Sequence, residues 1–145
     1  DEIGMLNDHS YEQYDHLKHD ERWMHRPKMD WQKAEHRHDL EAIEGRLFSG
    51  LRHIIERRRA TPHIHAMNPV TILDLGLEGV FAYARRSPVG PLVCIYNFSE
   101  AWQNIGQPSL AATGISQWFD NLGNVPLTLR DGVLPLPPQG RVWLT

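Results

Sequence analysis

The chain has 145 residues, of which 41% are hydrophobic and 23% are charged, and its formal net charge at pH 7 is -3. It is long enough to bury a hydrophobic core of its own. The small net charge excludes the strongly basic surface with which proteins bind nucleic acid, and no run of about 20 apolar residues is present that could cross a membrane.

The composition changes near Pro62. Residues 1–60 carry 24 of the 33 charged side chains and 7 of the 9 histidines, whereas most of the prolines lie in residues 61–145. This break predicts two domains, residues 1–62 and residues 63–145. The single cysteine, Cys94, stands in an apolar run and cannot form an intramolecular disulfide, so we expect it to be a buried structural thiol.

The first eight residues, Asp1 to Asp8, begin without a helix cap or a turn signal before them. They read as the continuation of an element, and we expect a strand upstream of Asp1 in a longer protein. Nothing at this end resembles a signal peptide, which favours the cytoplasm over secretion and leaves the compartment otherwise open.

The polar segment 7–38 fits neither the strand period nor the helix period and is predicted to be a long functional loop. Trp23 and Trp31 lie close in sequence to two arginines, Arg22 and Arg26. A guanidinium can bind a carboxylate or a pair of sugar hydroxyls, and an indole face can stack, so these residues are typical of a polar binding pocket. The alternative is a solvated surface loop that its tryptophans hold against the body of the protein, and the residues alone leave both open.

A single amphipathic helix is predicted over residues 39–59. Asp39 is expected to be its N-cap, Arg57 to Arg59 complement its C-terminal dipole, and Pro62 stops it. The macrodipole accounts for the three arginines more simply than a phosphate patch does. Its apolar stripe consists of Leu40, Ile43, Leu47, Leu51, Ile54 and Ile55.

From Val70 onward, short apolar and β-branched segments alternate with glycine, proline and asparagine, which predicts an antiparallel sandwich or barrel. The predicted strands are 69–74, 79–85, 91–97, 100–105, 115–119, 126–129, 132–135 and 140–144.

The histidines do not predict a metal site. The pairs His36 and His38, and His63 and His65, could share a face only in an extended strand, and neither has a third ligand at the spacing of structural zinc. We therefore expect no metal and no cofactor.

Paired carboxylates are what the cleavage of a glycosidic bond requires. Several carboxylates crowd the first half of the chain, but the sequence gives no way to pair them, and local solvation explains the cluster equally well. They are Asp1, Glu2, Asp8, Asp20 and Glu21.

Several short motifs in this order resemble those of the C-terminal end of amylosucrases, which belong to the α-amylase family, glycoside hydrolase family 13. The string from Arg22 to Pro27 is the most specific of them, and the resemblance runs over nearly the whole chain. The motifs are Asp1-Glu2-Ile3-Gly4-Met5, Asp20-Glu21-Arg22-Trp23-x-His25-Arg26-Pro27, Gly50-Leu51-Arg52-His53, Asn97-Phe98-Ser99 and Val142-Trp143-Leu144.

The resemblance implies an α+β fragment. Residues 2–38 would be the eighth βα loop of a (β/α)8 barrel and residues 39–59 its eighth helix, so that residues 1–62 end the catalytic barrel. Residues 66–145 would form the terminal all-β antiparallel sandwich. Active sites of such barrels are built from the βα loops, which is where the loop 7–38 would lie.

The resemblance also implies the activity, which is transfer of glucose from sucrose to an α-glucan with retention. In amylosucrases the arginine that matches Arg22 pairs with an aspartate from an early barrel loop, which would lie upstream of this chain, and Arg22 would bind the glucosyl hydroxyls. Arg26 is the second candidate because the register of the string is uncertain by one arginine. The catalytic carboxylates would lie upstream in the rest of the barrel, so this piece alone is predicted to be inactive. The alternatives are a sucrose hydrolase or α-glucosidase of the same family, or a non-catalytic carbohydrate-binding or structural β-domain.

Overall fold

The computed structural model describes residues 2–145, so Asp1 and its predicted junction with an upstream strand lie outside the described residues. Contacts divide the chain into two compact units, which are separated in sequence between Ile55 and Glu56. The division falls inside a helix and does not test the predicted domain boundary after residue 62. No helix within residues 2–145 has both the length and the apolar character needed to cross a bilayer.

The segment predicted to be a long loop folds into short helical pieces. A helix of five residues or fewer shows no period in the sequence, which is why the pattern did not reveal them. Local carboxylates nucleate two of them, since Asp20 accepts from the backbone N–H of Arg22 and Asp30 accepts from that of Lys33. The pieces are three 3-10 helices, Ser10–Gln13, Glu21–His25 and His36–His38, and helix α1, Trp31–Glu35.

The long helix, α2, spans Ile43–Ala60 and begins four residues later than predicted. Asp39 does not cap it, because its carboxylate accepts from the Glu41 N–H and its carbonyl accepts from the Ala42 N–H, which closes a separate turn. A Cβ at Gly45 would collide with the Asp39 carbonyl, so glycine is needed for this turn to lie against the helix. The predicted end is confirmed, since Thr61 bonds to the Arg57 carbonyl and Pro62 follows.

The six apolar side chains of the predicted stripe are between 36% and 60% exposed, and all of them except Leu40, which precedes the helix, lie on α2. In the same unit, the buried hydrophobic residues among residues 2–55 are Ile3 and Tyr11. Burial of apolar surface is the main favourable contribution to folding. Most of the apolar surface of this unit remains exposed and does not contribute.

The second unit, which we call the β unit, confirms the predicted antiparallel β structure. Its strands are β1 Val70–Leu73, β2 Val80–Ser87, β3 Gly90–Asn97, β4 Gln103–Gly106, β5 Phe119–Asp120, β6 Val125–Pro126, β7 Val133–Leu136 and β8 Arg141–Leu144. One sheet has the strand order β1-β2-β3-β8-β5-β6, and a second sheet pairs β4 with β7.

Three strand predictions need correction. Residues 100–102 were predicted to begin a strand, but β4 starts at Gln103. They form part of a turn to which the Asn97 side chain donates a hydrogen bond. The strands predicted at 115–119 and 126–129 are reduced to Phe119–Asp120 and Val125–Pro126, so each predicted range contributes one residue. The first is broken because Trp118 has a φ of 49°. After β4 the chain continues into a short helix, α3, Gln107–Ala111.

Strand β3 is the centre of the core. Leu92 to Ile95 are four consecutive residues with no exposed surface. Val93 and Ile95 face a cluster that includes Ile105 of β4, whereas Leu92 and Cys94 face a second cluster. The prediction of a buried thiol is confirmed, and burial raises the pKa of Cys94 to about 11.

Asn97 links three backbone segments at the end of β3 and is 1% exposed. Its Nδ2 donates to the carbonyls of Ala101 and Pro137, each at 2.8 Å. Its Oδ1 accepts from the backbone N–H of Ser99 at 3.0 Å and from the Ser99 hydroxyl at 2.7 Å. The motif Asn97-Phe98-Ser99 therefore has a structural explanation.

Replacing Asn97 by aspartate tests this role. Asn97→Asp keeps the shape but puts an acceptor against two carbonyls, so we expect the free energy of unfolding to fall by about 3 kcal/mol or more. Urea unfolding of the full chain measures it. Asn104→Asp is the matched control, because Asn104 is exposed on β4, and an equal effect of both substitutions would contradict the role of Asn97.

The burial of Cys94 predicts low reactivity. A pKa of about 11 in place of 9 lowers the thiolate fraction at pH 8 about a hundredfold, and the thiolate is the reactive form. An aromatic disulfide reagent should therefore modify the folded chain slowly and the urea-unfolded chain quickly. Equal rates in the two states would show that Cys94 is accessible.

Candidate functional site

The candidate site lies in the 3-10 helix Glu21–His25 and the residues beside it. Asp20 caps this helix with its side chain. The backbone N–H of Asp8 donates to the carbonyl of Met24 at 2.9 Å, which joins the two ends of a surface loop. The loop is therefore held by hydrogen bonds between nearby backbone groups more than by a core.

Arg22 forms a bidentate ion pair with Asp20. Nε donates to Oδ1 and Nη2 donates to Oδ2, both at 2.7 Å. The hydrogen bonds from Arg22 lower the pKa of Asp20, and the same pairing raises the pKa of Arg22. The Arg22 side chain is 75% exposed, so its remaining N–H groups face solvent.

Arg26 has a different environment. Its guanidinium carbon lies 5.9 Å from the centroid of the Trp23 ring, which is a cation–π distance. It also lines a pocket of about 330 Å³. The other lining residues are Met5, Leu6, Asn7, His25, Pro27 and Met29.

The structure places the two predicted arginines at different positions, since Arg22 does not line this pocket. Their roles in binding stay predictions. Trp31 is 74% exposed, so it does not hold the loop against the body of the protein as the alternative interpretation required.

Sequence reasoning missed Asn7 and His25. Nδ1 of His25 lies 3.2 Å from Oδ1 of Asn7, and both residues line the pocket. His25 belongs to the motif from Asp20 to Pro27 that carried the resemblance, so the sequence did contain a signal for it. The sequence contained no signal for Asn7, because eighteen residues separate it from His25.

The histidine pairs are not brought together as ligands. His36 and His38 lie in a 3-10 helix, where the His38 ring packs edge-on against Phe48, and Nδ1 of His65 accepts from the Met67 N–H. Burial lowers the pKa of His63. Within residues 2–145, no group of three or more His, Cys, Asp or Glu side chains is arranged to hold a metal ion.

Part of the β unit is similar to a known protein family. Residues 78–145 match the family model described as the amylosucrase C-terminal domain. Solved structures with the same fold include a mutant of MutB in complex with sucrose, and a mutant from crystals soaked with trehalulose. Each is 18% identical to this chain with a TM-score of 0.52.

A third similar structure is a mutant of the trehalulose synthase MutB in complex with Tris. Each of these comparisons covers 77% of this chain and 19% of the other chain. The chain thus spans about a fifth of the length of the proteins it matches.

The pair between Asp20 and Arg22 predicts a measurable pKa. Asp20 should titrate below the usual range of an aspartate, and Arg22→Ala should raise that pKa because the hydrogen bonds to the carboxylate are lost. Carboxyl carbon chemical shifts measured as a function of pH report it. Arg37→Ala is the control, since Arg37 donates to the Ala34 carbonyl. An unchanged Asp20 pKa in Arg22→Ala would show that the pair does not form in solution.

Proposed function

We propose that this chain is the C-terminal portion of a glucosyltransferase of the α-amylase family, because residues 78–145 match the family model of the amylosucrase C-terminal domain. The enzyme transfers glucose from sucrose to an α-glucan and retains the configuration. The family match within the β unit is the observation that carries this proposal. A similar solved structure, a mutant of MutB, is in complex with its substrate sucrose, which supports sucrose as the donor.

The exposed stripe of α2 supports the second part of the proposal, in which the N-terminal unit completes a (β/α)8 barrel. In it, residues 2–38 are the eighth βα loop and α2 is the eighth helix. A helix that packs on a barrel sheet needs an apolar face of this width. An independent carbohydrate-binding module would bury such a stripe in its own core, whereas here its six side chains are exposed.

Arg22 is the proposed sugar-binding residue of this chain. A guanidinium has five N–H donors, and Asp20 takes two of them. The remaining donors can bind glucosyl hydroxyls, while the bidentate pair fixes the plane of the group. Because Asp20 neutralises its charge, Arg22 suits a neutral sugar better than a phosphate. Arg26, beside Trp23 and the pocket, is the second proposed binding residue.

The proposed chemistry uses two carboxylates about 5 Å apart. One attacks the anomeric carbon of the glucosyl unit while the other protonates the departing fructose, and the glucan hydroxyl then displaces the first carboxylate. Both would lie upstream of this chain. The contribution of these residues is to bind and orient the glucosyl ring, which lowers the barrier by fixing the reacting atoms.

Incubation of the full-length protein with sucrose tests the proposal. Fructose together with an iodine-staining glucan would support it. Fructose with an equal amount of free glucose would mean a hydrolase, and a sucrose isomer without free sugars would mean an isomerase. No reaction with sucrose would overturn sucrose as the donor and would direct the test to maltooligosaccharides.

Replacement of Arg22 tests its role in the same enzyme. Arg22→Ala should lower kcat/KM for sucrose about a hundredfold, since it removes charge-assisted hydrogen bonds to the sugar. Arg22→Lys should not restore activity, because an ammonium cannot form the bidentate pair.

Arg26→Ala is measured in parallel to decide which arginine faces the sugar. Arg37→Ala is the control and should leave kcat/KM unchanged, since Arg37 donates to a backbone carbonyl outside the pocket. Turnover near normal in Arg22→Ala would remove Arg22 from the site.

A further inference from the structure

The short helix that carries Arg22 is tied to the beginning of the chain by two successive contacts. The backbone N–H of Asp8 donates to the carbonyl of Met24 at 2.9 Å, and Nδ1 of His25 lies 3.2 Å from Oδ1 of Asn7. The two contacts join neighbouring residues on both segments. Such a pair of contacts restricts the rotation of the helix as well as its distance from residues 7 and 8.

The segment that makes these contacts is itself held against helix α2. Ile3 is 3% exposed. Gly4 has a φ of 67°, and a Cβ there would collide with the Leu47 side chain of α2, so the backbone lies directly against that helix. Asn7 follows three residues later, so the contact with His25 connects the helix of Arg22 to a fixed part of the same unit.

His25 and Arg22 lie on the same side of their helix. They are three residues apart in the 3-10 helix Glu21–His25, and side chains at this spacing eclipse each other in such a helix. Asp20 binds the guanidinium of Arg22 at the start of the helix. The contact between His25 and Asn7 holds the same face at the end of the helix, so Arg22 is constrained from both directions.

The hydrogen-bonding groups determine which substitutions preserve the contact. An amide oxygen only accepts, so Nδ1 of His25 carries the hydrogen that Asn7 accepts. A carboxylate oxygen at position 7 can accept from the same N–H, whereas alanine removes the contact. Both side chains are exposed, so loss of the contact should change the free energy of unfolding little.

We propose that Asn7 and His25 are positioning residues, which hold the helix Glu21–His25 so that Arg22 meets the glucosyl ring in the orientation that the reaction needs. The inference rests on the proposed function, in which Arg22 binds the sugar. A small displacement of a binding group can cost a large part of the rate, because the reacting atoms are then no longer aligned. The pair therefore affects catalysis without touching the substrate.

A double-mutant cycle in the full-length enzyme tests this role. His25→Ala and Asn7→Ala should each lower kcat/KM for sucrose about tenfold, because Arg22 loses its alignment. In the Arg22→Ala background the same substitutions should have no further effect, since no guanidinium is left to position. Asn7→Asp should keep kcat/KM within about twofold of the unmodified enzyme, because it retains the acceptor.

His9→Ala is the matched control. Nδ1 of His9 also lies close to an exposed side-chain oxygen, at 3.1 Å from Oε1 of Glu12, but this contact joins residues three apart and does not reach the helix of Arg22. The substitution should leave kcat/KM unchanged. A loss equal to that of His25→Ala would contradict the proposal, since the effect would then not depend on the contact with Asn7.

Hydrogen exchange gives a readout that does not depend on the donor sugar. The amides of residues 21–26 should exchange faster in His25→Ala and Asn7→Ala than in the unmodified full-length protein, because the contacts to residues 7 and 8 are weakened. Faster exchange would support the proposal even if the enzyme takes another donor sugar. Unchanged exchange would overturn it even if the enzyme uses sucrose.

The cycle also separates this inference from the proposed function. Normal turnover in His25→Ala beside impaired turnover in Arg22→Ala would overturn the positioning role and leave the proposed function intact. Equal losses from His25→Ala in the presence and absence of Arg22 would show that His25 acts on its own, which also overturns the positioning role. Normal turnover in Arg22→Ala would overturn both the positioning role and the proposed role of Arg22.

Discussion

The burial of β3 on both faces is the constraint on which the β unit depends. Leu92 to Ile95 have no exposed surface, so the sheet must be covered on both sides at this strand. The second sheet and Leu110 of α3 cover one side, and Leu122 and Trp143 cover the other. Cover is needed most at this central strand.

Buried polar side chains attach this cover to the sheet. Asp120 accepts from the backbone N–H groups of Leu122, Gly123 and Trp143, and so joins a turn to β8. Asn97 does the same at the opposite end of β3. A buried polar group costs free energy unless it is bonded, so each residue stabilises one loop arrangement and disfavours others. In the N-terminal unit, side chains of the same types lie at the surface, where they stabilise local turns without a hydrophobic core.

The sequence predicted the elements that are long enough to show a pattern of apolar residues. It missed the elements that are determined by contacts between distant parts of the chain. The apolar stripe of α2 was recognisable because apolar residues recur along it at the helical spacing, and strands β2 and β3 were recognisable because apolar and β-branched residues are concentrated between turn residues. The start of α2 was predicted too early, since the Asp39 side chain bonds to the backbone of its own turn. The positive φ of Trp118 and the burial of Leu110 depend on packing, which residue types alone do not reveal.

The candidate site shows the same difference between what the sequence predicted and what it missed. The motif around Arg22 and Arg26 predicted a sugar-binding role from guanidinium and indole chemistry, which is local, and that role stays a prediction. It could not predict that Asp20 would hold Arg22, or that Asn7 would reach His25 from eighteen residues away. A side chain's direction is fixed by its neighbours in space, so the choice between the two arginines needs the structure and an experiment.

The contact between Arg22 and Asp20 limits what the candidate site can accept. Their charges largely cancel, and the remaining N–H groups of the arginine stay available as donors. An anionic ligand would meet the Asp20 carboxylate beside the guanidinium, whereas a neutral polyol meets no such repulsion and its hydroxyls can accept from the free N–H groups. The ion pair is therefore consistent with the sugar ligand that we propose for Arg22.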